Sequence, residues 1–202
     1  MTSRVRLARW SVLIIALHWL AAALILELVA HGWIMVHAHL DAATTFDLYQ
    51  WHKSLGFTVL AITMARLAAR LRPAAPVPPQ GAPWERRLAA LVQWASYLVT
   101  LAAILAGWLI VSASPLPIPT RFFNLVVIPN VARPDAALFA AAVLAHKLIA
   151  WTIVGLVALH VAGALKHHIV DRDDVLRRML PRWTSDSRRR SGDDPVLRPP
   201  NG

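Results

Sequence analysis

Nine histidines in a chain without cysteine are the side chains best able to hold a metal: His18, His31, His37, His39, His52, His146, His160, His167 and His168. The lack of thiols excludes disulfides, iron–sulfur clusters and thiolate metal sites. Five of the histidines fall within long apolar runs, and four of these, His18, His52, His146 and His160, agree on a geometry. A single histidine there is costly and suggests function, the plainer reading being a hydrogen bond between packed helices. If the runs are helices, His146 and His160, 14 residues apart, lie ~40° short of four full turns and ~21 Å apart along one face. His18 lies ~12 Å from the start of its run at Trp10, and His160 ~12 Å from His168 at the matching end of the last run. His52 lies ~30 Å before Arg72, and His146 ~33 Å before His168. The four histidines therefore form two depth-matched pairs, His18 with His160 and His52 with His146. Zinc wants four ligands, so a histidine pair without clustered carboxylates suits it poorly. Two axial imidazoles across a planar macrocycle are what a bis-histidine haem requires, and they favour electron transfer over oxygen binding. No Cys-x-x-Cys-His motif exists, so such haems would be non-covalent and b-type.

The elements that must position these pairs are apolar. Of 202 residues, 57% are hydrophobic and 16% charged, with a mean hydropathy of +0.49. Soluble domains carry about 25% charge. Four runs, Trp10 to Trp33, about Tyr49 to Leu71, Leu88 to Val111 and about Ala136 to Leu165, each reach the ~20 residues needed to cross a ~30 Å hydrocarbon core. The first exceeds a signal peptide's apolar stretch of about 7–15 residues and has no small-residue cleavage site. Residues 72–83 are Pro-rich, and 112–134 contain Pro115, Pro117, Pro119, Pro129 and Pro134, which reads as a long extramembrane loop. The expected fold is an all-α membrane protein, one four-transmembrane-helix bundle over residues 1–183 binding two haems, with a disordered cytoplasmic tail over 184–202.

Charge placement orients this bundle. Arg4, Arg6 and Arg9 precede the first run; Arg66, Arg70, Arg72, Arg86 and Arg87 surround the second connection; Lys166, Arg172, Arg177, Arg178 and Arg182 follow the last run. The other two connections are poor in Lys and Arg. The positive-inside rule places both termini in the cytoplasm. The net charge of +10 is thus a topology signal, and nucleic acid is not an expected partner.

Several other residues carry two readings each. Gly56, one turn after His52, with Gly155 and Gly163, would let a porphyrin approach the backbone or let helices pack closely. Glu27, nine residues after His18, is an expensive intramembrane carboxyl; it is read as protonated or paired. His37 and His39 are expected to be solvated. His167 and His168 are read as interfacial anchors. Trp10, Trp33, Trp51, Trp84 and Trp108 read as interfacial belt residues.

The chain resembles the bacterial cytochrome b561 family of small four-helix, dihaem membrane cytochromes. Residues 11–20 (SVLIIALHWL), 50–56 (QWHKSLG), 155–160 (GLVALH), 164–168 (ALKHH) and 171–181 (DRDDVLRRMLP) carry the resemblance, which covers roughly 5–181. It implies a bacterial inner-membrane location, that the four haem-ligating histidines are His18, His52, His146 and His160, and that the protein exchanges electrons with ubiquinone, for which Glu27 would supply a proton and His167 and His168 would touch the head group or the cytoplasmic haem propionates. Some members look like superoxide oxidases, which pass an electron from periplasmic superoxide through haem to ubiquinone. Lys53 and Lys147, each following a candidate ligand, join Arg121 and Arg133 as cations that would attract such an anion; alternatively they pair with haem propionates or lipid phosphates. Helix three lacks the histidines that some members carry there, and Ala145 offers no aromatic surface before His146. An electron-transfer subunit serving a periplasmic redox partner shares every core residue with the superoxide reading. A non-redox metal transporter would instead cluster its ligands at one depth.

Overall fold

The computed structural model describes residues 11–71, 82–116 and 118–180. The cationic N-terminus, most of the Pro-rich linker and the polar tail lie outside these. Four long helices account for most of the described chain: α1 (Val12–His37), α2 (Ala42–Arg70), α3 (Pro83–Ala113) and α4 (Ala136–Ile169). Each starts where local chemistry satisfies the free amides of a first turn. Ser11 accepts from the Ile14 amide, Asp41 from the Thr44 amide, and Asp135 from the Leu138 amide. Pro83 opens α3, and Glu85 reaches back to the Ala82 amide at 3.2 Å. The Thr44 hydroxyl, 2.6 Å from Asp41, is the main reason that the Asp41 carboxyl sits below its ordinary pKa and stays charged at its cap.

The helices run past the apolar stretches that mark them in the sequence. Three of them, α1, α3 and α4, are long and apolar enough to cross a membrane. The second, α2, has the length, at 29 residues, but carries Asp47, Lys53, Arg66 and Arg70, which lower its mean hydropathy. Of those charges, Lys53 follows His52 directly and Arg66 lies 3.1 Å from His18.

The interior is built mainly from small and hydroxylated side chains with Ile15, Val59, Ile62 and Val92 among them, while many large apolar ones point outward. Ala21, Ala103, Ala113, Ala142, Ser54, Ser112, Thr63 and Thr100 are buried, whereas Leu20, Leu98, Leu105 and Leu148 are exposed. Small interior residues let helices approach one another, and a lipid-facing exterior needs no polar cover. The closest partnerships are α1 with α2 and α3 with α4.

The loop between α3 and α4 is not irregular throughout. It holds a short antiparallel hairpin, β1 (Thr120–Phe122) and β2 (Val126–Ile128), in which Thr120 faces Ile128 and Phe122 faces Val126. Phe123 and Asn124 both take positive φ, 47° and 59°, as a tight hairpin turn demands. The turn is held by α2: the Phe123 amide donates to Ser54 Oγ at 3.0 Å, and the Gln50 side chain bridges the Pro119 carbonyl and the Arg121 amide. On the other flank, Trp108 donates to the Pro129 carbonyl and Ser112 accepts from the Val131 amide. The hairpin therefore closes the end of the bundle that carries His52. Trp108, expected in the interfacial belt, ties this loop down.

The opposite end is held by charge. Lys166 Nζ lies 2.8 Å from both Glu85 and Asp171, and His167 lies 2.7 Å from Asp173. Trp19 Nε1 donates to the Met179 carbonyl at 2.6 Å, fixing the single 3-10 turn Arg177–Met179 against α1.

Candidate metal centres

Two histidine pairs form, one toward each end of the bundle. His18 of α1 faces His160 of α4 with ring centroids 6.0 Å apart. His52 of α2 faces His146 of α4 at 6.2 Å. A metal bonded ~2.0–2.1 Å from one nitrogen of each ring, with the ring centre ~1.1 Å behind that nitrogen, needs centroids ~6.3 Å apart. Both pairs stand at that spacing, so the donor set fits axial ligation of one iron per pair. Among the described residues no carboxylate lies within ion-pair distance of either pair, which disfavours a tetrahedral ion, while His31 is near enough to His52 to interact with it electrostatically.

The ring nitrogens facing away from a metal differ between the pairs. His146 Nδ1 donates to the Ala103 carbonyl at 2.8 Å. That bond places the proton on Nδ1 and leaves Nε2 bare for a metal, the arrangement common among ligating histidines. Gly107, one turn from Ala103 on α3, makes the approach possible: a Cβ there would lie 3.3 Å from His146 Cε1. Ala103-x-x-x-Gly107 is a small-residue pair of the kind that lets membrane helices close up. That motif was the sequence signal for both residues, and histidine counting passes over it. His52 Nδ1 is buried with no hydrogen-bond partner, while Gly32 of α1 packs beside the ring, its added Cβ 3.9 Å from Cε1.

At the other pair, Arg66 Nη2 lies 3.1 Å from His18 Nδ1. A guanidinium only donates, so here Nδ1 accepts. A neutral His18 bound to a metal through Nε2 would carry its proton on Nδ1, and Arg66 would then need another acceptor. Arg66 stacks on Tyr97 and Arg70 on Trp94, and Arg66, Arg70 and Tyr97, with Ile14, Gln93 and Met179, line a cleft beside His18. In the sequence Arg66 stood out only as a topological charge.

The remaining candidates are placed as follows. Gly56, Gly155 and Gly163 would each meet nothing within 4 Å if given a Cβ, so close helix packing is not what these glycines serve. Lys53 is half-buried, and Lys147, Arg121 and Arg133 are exposed, all toward the hairpin end. Among the described residues, no carboxylate lies within ion-pair distance of any of the four. His168 is exposed, and its neighbour His167 makes the ion-pair contacts. His167, Asp171 and Asp173 converge closely enough to hold an ion, but Lys166 already balances Asp171. Glu27 pairs with His31 at 3.3 Å. His37 stacks on Trp33 and bonds its carbonyl.

Residues 9–182 match the family described as prokaryotic cytochrome b561. Cytochrome b561 homolog 2 of Escherichia coli (strain K12) is 32% identical over 180 residues, covering 88% of this chain and 94% of the relative. A probable superoxide oxidase, CybB, of Yersinia pestis is 28% identical, covering 86% and 97%. Cytochrome b561 homolog 1 of Escherichia coli is 29% identical, covering 86% and 98%.

Proposed function

The chain belongs to the prokaryotic cytochrome b561 family, a family of membrane electron-transfer proteins that bind b-type haem, and we propose that it carries two haems through four membrane-spanning helices and oxidises superoxide with ubiquinone as acceptor. The observation that carries the dihaem reading is the repeated histidine spacing, 6.0 and 6.2 Å at two levels of one bundle. In this reading His18 with His160, and His52 with His146, hold one haem each, and α2 is the fourth span. Its charges are tolerated because they lie near the ends or against other helices rather than in lipid. Haem held by two imidazoles supplies a one-electron couple with no open iron position.

The chain's own residues set direction and access. With both termini cytoplasmic, the hairpin end is periplasmic, and Lys53, Lys147, Arg121 and Arg133 present positive charge there without carboxylate partners among the described residues. Such a field raises the encounter rate of a small anion by about 10- to 1,000-fold. The hairpin, pinned by Gln50, Ser54, Trp108 and Ser112, holds Arg121 over the His52 level. Overall, two superoxide anions give up one electron each, and one quinone takes both electrons with two protons.

Stopped-flow haem reduction by superoxide, with and without ubiquinone, tests this. Superoxide should reduce the haem, and ubiquinone should reoxidise it. The double variant Lys53→Gln plus Lys147→Gln should slow the superoxide phase by about 10-fold at low ionic strength, leaving reduction by a neutral quinol nearly unchanged. The parent's superoxide rate should also fall with salt, since exposed charges are screened over ~10 Å at ~0.1 M. A salt-independent rate, unaltered in the double variant, would leave the lysines as propionate or lipid partners. It would favour the second reading, an electron-transfer subunit that links a periplasmic redox partner to quinone.

A further inference from the structure

The two histidine pairs differ in what stands behind them. Arg66 Nη2 lies 3.1 Å from His18 Nδ1, and its charge acts on both rings of that pair, His18 and His160. The guanidinium is half-buried and is held over the Tyr97 ring, 5.5 Å from its centroid. Arg70, one turn on, adds a second positive charge over Trp94. Among the described residues, no carboxylate lies within ion-pair distance of either arginine. A guanidinium is not deprotonated in proteins, so this end of the bundle carries fixed positive charge beside its histidines.

The outer pair has the opposite surroundings. His146 Nδ1 donates to the Ala103 carbonyl at 2.8 Å, and a bond of that kind makes the imidazole a stronger donor to a metal. The groups that act electrostatically on His52 are His146 itself and His31. Lys53 and Lys147 follow the two ligands in sequence, but one residue is ~100° of helix rotation, which turns both lysines away from the facing rings. Lys147 is accordingly exposed and Lys53 half-buried.

The potential of a haem follows the charge and hydrogen bonding around its ligands. A positive charge beside a ligand favours the reduced iron, which carries one positive charge fewer. A carbonyl that accepts from a ligand's outer nitrogen favours the oxidised iron. Both differences between the pairs act in the same direction. We propose that Arg66 makes the haem held by His18 and His160 the higher-potential centre of the two, so that an electron arriving at the hairpin end runs downhill to the cytoplasmic end. Each transfer takes one electron from the outer centre and gives it to the inner one. In the orientation proposed above, that electron moves toward the negative side of the membrane, against the membrane potential, and the charge at Arg66 offsets the opposition. The His18–His160 pair is then the collecting centre from which quinone is reduced. This rests on the dihaem reading.

Spectroelectrochemical titration of the haem-loaded protein tests this. The parent should show two one-electron components, and the higher should be the one that survives in His52→Ala. In Arg66→Gln the equilibrium constant for reducing that component should fall about tenfold, ~59 mV for one electron, with the other component and the haem content unchanged. Arg66→Lys, which keeps the charge, should restore most of the potential. Arg70→Gln should lower the same component by less, and it decides the matter if Arg66→Gln loses its inner haem. The proposal is overturned if the His18–His160 component is the lower of the two in the parent, or if it stays unmoved in both Gln variants. It is overturned equally if that component rises in Arg66→Gln, because Arg66 would then be drawing the Nδ1 proton off His18 and making the ligand anionic. A single component in the parent would count instead against the dihaem reading.

Discussion

Replacing His52 or His146 with alanine is expected to remove one haem of two, and the same one in either variant. Replacing His18 or His160 should remove the other. His52 stands against His146 at 6.2 Å and His18 against His160 at 6.0 Å, with the two α4 histidines about four turns apart along one face. Loss of one imidazole leaves five-coordinate iron at best, and a change from low-spin to high-spin character marks any haem that stays. Redox titration of each variant should then show a single remaining low-spin component, identical within each pair and different between pairs. If His18 and His146 variants lost the same component, the pairing by depth would be wrong.

Gly107→Val should be nearly as damaging, although residue 107 touches no metal. A Cβ there already lies 3.3 Å from His146 Cε1 and 3.5 Å from Nδ1. Two further methyl groups cannot be accommodated without turning the ring, and turning it breaks the Nδ1 bond to the Ala103 carbonyl. Losing such a supporting bond costs about 10- to 100-fold in metal affinity. The expected result is weakened haem at the His52–His146 pair with the His18–His160 pair unchanged, and Gly107→Ala should show a smaller shift in that haem's potential. Unaltered haem content and potential in Gly107→Val would show that α3 does not position His146.

Much of this arrangement was legible before any coordinates. Counting residues along apolar runs depends only on helical rise and rotation, and those scarcely vary, so the meeting of His18 with His160 and of His52 with His146 could be read directly. The second run reads as a span like the other three, but the charges Lys53, Arg66 and Arg70 lower the mean hydropathy of α2, and among the described helices only α1, α3 and α4 are long and apolar enough to cross a membrane. The hairpin was hidden: three-residue strands between prolines have no periodicity, and what holds them is Gln50 and Ser54, some 70 residues away in sequence. Arg66 at His18 and Gly107 at His146 were hidden for the same reason, since each acts across a helix interface. Glu27 was visible as an anomaly, but its partner required the fold.

Haem per chain is the quantity that decides whether this bundle is a two-centre electron carrier. Pyridine haemochrome quantification on the purified protein, against protein mass from amino-acid analysis, should give two b haems per chain, both low-spin. One haem per chain, or a substantial high-spin fraction in the parent protein, would contradict two bis-histidine centres at His18–His160 and His52–His146.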